Sequence, residues 1–220
     1  MSADTTMVDY YARRAGEYER IYQKPERQDE LSELKELLRS ALRERRAVEV
    51  ACGTGYWTEV AAASAASIAA FDINDSTLEI ARSKSLNPAK VTFAVGDAFQ
   101  LPASDRQFDA AFAMFWWSHI PKSALSQFLR RLHATLLPGA TVVLVDNTFV
   151  PGESTPITRT DVEGNTYQTR RLDNGQAFEV LKNYPTEEVF RELLQVCATQ
   201  VELKWLRYYW WLSYRLPDSH

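Results

Sequence analysis

The sequence predicts an α/β fold, a mostly parallel sheet wrapped by helices, on three observations. Short apolar segments alternate with helix-patterned segments from residue 47 to about 150, the pattern of a parallel sheet covered on both faces. The first of these segments runs straight into a glycine turn, CGTG at 52–55. The chain then closes on two β-rich segments, VELKW and YWWLSYRL. They lie too close together for a helical crossover and should pair antiparallel.

Each element has its own justification. Between Gln28 and Arg43, the residues Leu31, Leu34, Leu37, Leu38, Ala41 and Leu42 recur at helical spacing, with charged residues on the opposite face. AVEVA at 47–51 is a strand and TEVAAASAA the helix after it. SIAAFDI at 67–73 is the second strand, with STLEIARSKSL as its helix, and KVTFAVGD at 90–97 is the third strand. QFDAAFAMFWW at 107–117 is the fourth. PKSALSQFLRRLHATLL places Leu125, Phe128, Leu129 and Leu132 on one helical face, and Pro138-Gly139 ends it. TVVLVDNTF is the fifth strand. Residues 150–165 are rich in Pro, Gly, Ser, Thr and Asn and read as an exposed loop. YQTRRLDNGQAFEVLKNY follows as a hairpin, with Asn174-Gly175 favouring a type I′ turn. Thr186 caps the last helix, TEEVFRELLQVC. The closing aromatics Trp205, Tyr208, Tyr209, Trp210, Trp211 and Tyr214 belong to the core of a sheet covered on both sides.

A length of 220 residues suits one domain. Its expected parts are an N-terminal lid and helix (1–45), a core (46–150), a loop and hairpin cover (151–184), and a last helix with the antiparallel pair (185–220). The net charge of −4 and a pI near 5.5 weigh against a nucleic-acid groove. Cys52 and Cys197 lie in unlike contexts, so neither a disulfide nor a metal site is expected. No run is long enough to span a membrane, and the N-terminus has no apolar signal core. The expectation is a cytoplasmic monomer or homodimer acting on a small molecule, with no nucleic-acid or membrane partner.

In open α/β sheets ligands bind beyond the carboxyl ends of the strands. Glu49 precedes the turn, where Gly53 and Gly55 let the backbone approach a ligand. Asp72 closes the second strand about twenty residues on, placed for ribose hydroxyls, and Asp97 closes the third. This ordered set points to a nucleoside-bearing cofactor. A nicotinamide fingerprint would need a third glycine where Thr58 stands.

VEVACGTGYWT, FDINDSTLEIAR, VGDAFQLP and FDAAFAMFWWSHIP resemble the successive motifs of the class I S-adenosylmethionine-dependent methyltransferases, in particular their bacterial small-molecule branch. The resemblance runs from about residue 10 to the end. It implies a three-layer αβα Rossmann-like sandwich whose seven-stranded sheet ends on an antiparallel strand, with the hairpin inserted after strand five. It implies S-adenosyl-L-methionine as cofactor, its methionine part held by Glu49 and the backbone of Ala51, Gly53 and Gly55. Asp72 would take the ribose, Ile73 would pack on adenine, and Asp97, Ala98 and Phe99 would surround the base. Ala51 stands where the family has its first glycine. DYYARRAGEYERIY resembles the family's lid, with Tyr11 and Arg14 as leading candidates and Tyr10 and Tyr18 next.

The acceptor belongs at the end of strand four. There Phe115 faces the cofactor, Trp116 and Trp117 shape an acceptor site, and His119 is a candidate general base. His133 and His220 are weaker candidates. Asp146 and Asn147, closing strand five, share that rim, and Arg159, Tyr167, Arg170 and Arg171 on the hairpin are further candidate contacts. The expected activity is methyl transfer to an O, N, S or C nucleophile of a small molecule. The alternatives are a nicotinamide-dependent oxidoreductase and a non-catalytic relative that binds the cofactor.

Overall fold

The computed structural model describes residues 5–101 and 107–218; Pro102 and His220 lie outside them. Helix α1 (Thr5–Arg14) leads through a 3₁₀ segment to α2 (Gln28–Ala41). The central run is then β1 (Arg46–Val50), α3 (Tyr56–Ala62), β2 (Ser67–Asp72), α4 (Asp75–Ser83), β3 (Val91–Val95), β4 (Phe108–Met114), α5 (Leu125–Ala134) and β5 (Leu136–Asn147). After it come β6 (Arg159–Thr160), β7 (Thr166–Arg171), β8 (Ala177–Leu181), α6 (Glu187–Leu194), β9 (Thr199–Trp205) and β10 (Tyr209–Arg215).

Seven strands form one sheet in the order β3-β2-β1-β4-β5-β10-β9. The pairings among β1 to β5 are parallel, and β10 runs antiparallel to both of its neighbours. The strand order therefore reverses between β1 and β4, the switch point where such sheets open a crevice. Period-two alternation sends successive residues to opposite cores. Ala47, Phe112, Val143, Val145 and Trp211 meet the α2–α3 layer. Val48, Val50, Val142, Leu144 and Trp210 meet α5 and α6. The expected burial of the closing aromatics holds for Tyr208, Tyr209, Trp210, Trp211 and Tyr214, but Trp205 on edge strand β9 is 41% exposed.

Three local expectations change. Helix α5 stops at Ala134, and Pro138-Gly139 lies inside the irregular start of β5, where Gly139 has φ +70° and the register against β4 shifts. The hairpin turn is not type I′, since Gly175 has φ +84° while Asn174 is outside the left-handed region. The Gly175 N–H instead closes onto the Leu172 carbonyl at 2.8 Å, a four-residue turn ending in a left-handed glycine. Thr186 occupies the cap position of α6, yet its side chain makes no capping hydrogen bond. The loop of 150–165 also contributes a short third strand, β6, to the hairpin.

Helix α1 packs against β8 and α4, so the hairpin and the N-terminal helix together roof the carboxyl edge of the large sheet. No helix among the described residues is long and apolar enough to cross a membrane.

Candidate functional site

The β1–α3 turn is built to expose backbone. Ala51, Gly53 and Gly55 have φ of +55°, +55° and +77°. Their uses differ. A Cβ on Gly53 would meet nothing within 4 Å and would stand in the open cradle, whereas one on Gly55 would press on Ala81 of α4 at 3.0 Å. Gly53 thus leaves open space before the turn, whereas Gly55 serves packing of α3 on α4. Gly55 does not line the cavity beside it, contrary to the expectation that it holds the cofactor directly.

Asp72 braces this turn from β2. One carboxylate oxygen accepts the Gly53 N–H at 2.8 Å, and the other accepts the Asn74 N–H at 2.8 Å and the Thr77 hydroxyl at 3.3 Å. Burial raises its pKa against the pull of these donors. Glu49 sits behind the turn and off the cavity wall, almost wholly buried, and accepts from the Thr58 hydroxyl at 2.5 Å. Burial pushes its carboxyl up to about 8, so it is neutral at neutral pH. The position that a third glycine would occupy is therefore taken by a hydroxyl partner of Glu49.

The first cavity opens at the switch point, where ligands bind in sheets of this kind. Ala51, Gly53, Asp72, Ile73, Asp97, Ala98, Phe115, Trp116, His119 and Tyr11 all border it, as do Met7 and Val8 of α1. The donor set fits a nucleoside. Two carboxylates stand at successive strand ends, apolar side chains lie between them, and a glycine turn stands open opposite. Asp97 meanwhile holds the loop after β3, accepting the Phe99 N–H at 2.8 Å and the Gln100 amide at 3.0 Å. Phe99 itself does not border the cavity. It packs in the second core near Trp116 and Phe128, with ring centroids 6.2 and 6.3 Å away.

After β4 the chain turns sharply. Phe115 has φ +63°, a conformation uncommon for a bulky side chain. Its N–H is held by the Val145 carbonyl at 2.7 Å. Such strain persists where the surroundings impose it, often at a functional site. The turn separates the two tryptophans. Trp116 borders the cavity, and its buried indole N–H has no partner among the described residues. Trp117 is buried between Phe190 and Trp210, with centroids 5.3 and 6.0 Å away. Trp117 is thus a core residue and not an acceptor contact.

His119 lies just beyond, buried in a 3₁₀ turn. Its Nδ1 is 2.7 Å from the Leu181 carbonyl, which can only accept, so Nδ1 carries the proton. Nε2 is then an acceptor, and the Tyr11 hydroxyl donates to it at 2.8 Å. Burial, followed by the charge of Lys182, lowers the imidazole to about 3. A neutral ring with both nitrogens engaged is a poor general base near neutral pH. The geometry instead makes His119 the group that fixes Tyr11. Among the weaker candidates, His133 meets the Tyr214 hydroxyl at 2.8 Å, on the far side of the sheet from this edge.

A second cavity adjoins the first under the hairpin, and the two share Tyr11, Tyr18, Phe115 and His119. Arg14, Asn147, Arg170, Arg171 and Lys182 border it. Asp146 does not. It is fully buried, accepts Lys182 Nζ at 2.8 Å and the Ser118 N–H at 2.9 Å, and so positions the lysine. Lys182 Nζ also reaches Ser118 Oγ at 2.6 Å and Asn147 Oδ1 at 2.9 Å. Burial pushes the Asp146 carboxyl up, but the Lys182 charge and the hydrogen bonds from Lys182 and Ser118 are among the influences that together outweigh it and hold the pKa low. Arg159 and Tyr167 fall outside both cavities: Arg159 pairs with Glu179 and lies 3.7 Å over the Tyr167 ring. Lys182 is the residue that sequence reading missed. It stands just after β8 and continues the buried run of Val180 and Leu181, which no alternation in the sequence announces.

The fold and this edge define an α/β protein with a nucleoside-type cavity at the switch point and a second chamber against it. Residues 47–139 match the family described as a methyltransferase domain. A demethylmenaquinone methyltransferase of Staphylococcus aureus (strain MRSA252) is 30% identical over 104 residues, which are 46% of this chain and 42% of that protein. The chain thus matches less than half the length of such curated relatives. Over 96% of both chains, the structure of the DhpI–SAH complex superposes with a TM-score of 0.78 at 25% identity, and the DhpI–SAM–HEP complex with 0.77 at 25%. The PH0226 protein of Pyrococcus horikoshii OT3 shares the fold, with a TM-score of 0.72 at 20% identity over 91% of this chain and 98% of that one. Residues 47–139 are thus similar to a methyltransferase domain, set in a fold that the whole chain shares with the DhpI structures.

Proposed function

We propose that this chain transfers a methyl group from S-adenosyl-L-methionine to a small-molecule acceptor. The observation that supports this most is the junction of two chambers at Tyr11, Tyr18, Phe115 and His119, one chamber fitted to a nucleoside and the other roofed by the hairpin. The DhpI structures, similar over nearly the whole chain, are titled as complexes with SAH and SAM.

In this reading Asp72 takes the ribose hydroxyls, Asp97 and Ala98 take the adenine edge, and Ile73 packs on its face. Gly53 and Ala51 present backbone to the methionine part. When bound, the cofactor supplies a methyl group activated on a sulfonium sulfur. The chain's own work is to hold the acceptor in line with that group and to keep water away, and orientation alone removes a large part of such a barrier. Phe115 and Tyr11 stand at the junction where this alignment is set. His119 is a positioning residue that fixes the Tyr11 hydroxyl. Helix α1, carrying Tyr11 and Arg14, acts as the lid.

Thermal-shift and calorimetric titration with S-adenosylmethionine, its demethylated product SAH and a nicotinamide dinucleotide test this reading. Binding of the first two but not the third is expected. A response to the dinucleotide alone would support the oxidoreductase instead. Binding without turnover on a broad acceptor panel would point to a non-catalytic relative.

A further inference from the structure

The second chamber is strongly cationic in a chain whose net charge is −4. Six basic side chains border it: Arg14, Lys24, Arg27, Arg170, Arg171 and Lys182. Its one bordering carboxylate is Glu153, which is ion-paired with Arg207. Of the six cations, only Lys182 has a carboxylate partner among the described residues, the buried Asp146. The other five meet no carboxylate at ion-pair distance there. Arg14 donates to the Tyr10 hydroxyl at 2.9 Å and Arg170 to the Gln168 amide oxygen at 2.8 Å. Arg27 lies over the Tyr208 ring at 4.9 Å, with a buried Nε that has no partner.

Gathering like charges in a partly desolvated chamber costs free energy unless an anion of opposite charge is meant to enter. Burial above all lowers the pKa of Lys182, against the pull of Asp146, and the charges of Arg170 and Arg27 lower it further. Guanidinium groups also suit multi-oxygen anions, which they hold through paired N–H donors.

Resting on the reading of the first cavity as the seat of the methyl donor, we propose that the acceptor is a small molecule bearing a dianionic tetrahedral oxyanion, a phosphonate or a phosphate monoester. Arg170 and Arg14 form its seat, on the far side of Tyr11 and His119 from the cofactor, and Lys182 adds its charge from behind while its three N–H donors stay on Asp146, Ser118 and Asn147. Arg14, Arg27 and Arg170, half-buried and without a carboxylate partner among the described residues, favour a double negative charge over the single charge of a carboxylate. Such a group also brings oxygens that are already deprotonated. That matches a chamber whose histidine has one nitrogen tied to the Leu181 carbonyl and the other to Tyr11.

The test is calorimetry on the full chain, with and without saturating SAH, titrated with methylphosphonate, methyl phosphate, inorganic phosphate, acetate and ethanolamine. The expected result is that the two organic dianions bind at least tenfold more tightly than acetate, that ethanolamine does not bind, and that affinity falls as salt rises. Arg170→Gln should weaken the dianions by tenfold or more with the SAH titration unchanged. Lys182 is left intact, because its loss would strand the buried Asp146. If SAH binds while the dianions bind no better than acetate, the acceptor proposal is wrong and the cofactor reading stands. If inorganic phosphate binds and the organic dianions do not, the chamber is a free-phosphate site and the proposal is equally overturned. If SAH gives no response, the cofactor reading falls, and the titrations without SAH still decide whether the chamber selects dianions.

Discussion

The Tyr11 hydroxyl donates to His119 Nε2 across 2.8 Å and so ties helix α1 to the turn after β4 at the point where the two chambers meet. The imidazole is held neutral, with its pKa near 3 against an ordinary value of 6.5. An unfolded histidine takes up a proton below about pH 6.5 that the folded one refuses. The stability contributed by the neutral ring is therefore complete above that pH and is lost as pH falls toward 3, by up to about 1.4 kcal/mol per pH unit. Denaturant melts of the wild type and His119→Gln at pH 7, 5.5 and 4.5 should show the gap between them narrowing as pH falls. A gap that is constant across this range would mean that His119 titrates normally.

Glu49 should behave in the opposite sense. Its folded pKa is raised to about 8, so the neutral carboxyl suits the core and the ionised one does not. Its contribution is fully present below the unfolded value near 4.5 and is lost as pH rises through 8. Glu49→Gln, which mimics the neutral form and can still accept from Thr58, should leave stability at pH 5 nearly unchanged. At pH 8.5 it should raise stability by on the order of 1–3 kcal/mol. Melts at those two pH values check this, and equal effects at both would refute it.

Asp72 has two tasks that substitution can separate. Both Asp72→Asn and Asp72→Ala should weaken SAH binding by on the order of 1–3 kcal/mol, the range for hydrogen bonds to a buried ligand. Only Ala also strips the acceptors from the Gly53 and Asn74 N–H groups, so it alone should lower the melting temperature markedly. Calorimetry and thermal melts on the same pair of variants read the two effects independently. Unchanged SAH affinity in both would remove Asp72 from the ribose role.

How much of this was legible in the sequence depends on how far apart the cooperating residues lie. Asp72, Asp97 and Gly53 each end or follow a local strand pattern, and parallel-sheet topology alone brings such ends to one edge. The tryptophan pair was not resolvable in the same way. A strand would send Trp116 and Trp117 to opposite faces, but which one meets the cavity depends on the left-handed turn at Phe115, which no local propensity announces. The cationic chamber was still less legible. Arg14, Arg27, Arg170 and Lys182 come from the N-terminal segment and from the hairpin, and although Arg14 and Arg170 read as candidate contacts, no local pattern brings the four together. Lys182 is buried because Asp146, 36 residues earlier, faces it. Pairings of that kind arise only when the hairpin folds over the sheet.

Ala51 offers a last measurement, since its backbone keeps the conformation of the glycine it replaces. At φ +55° an alanine pays for its Cβ with roughly 1–2 kcal/mol, while a glycine there would pay roughly 0.5–1 kcal/mol in extra unfolded-state freedom. The first cost exceeds the second, so Ala51→Gly should stabilise the protein by about 0.5–1 kcal/mol. Ala51 borders the first cavity, and its side chain packs against the core on the α5–α6 side. The same variant should therefore bind SAH as tightly as the wild type. A melt showing destabilisation would mean that the Ala51 methyl makes packing contacts worth more than its backbone strain.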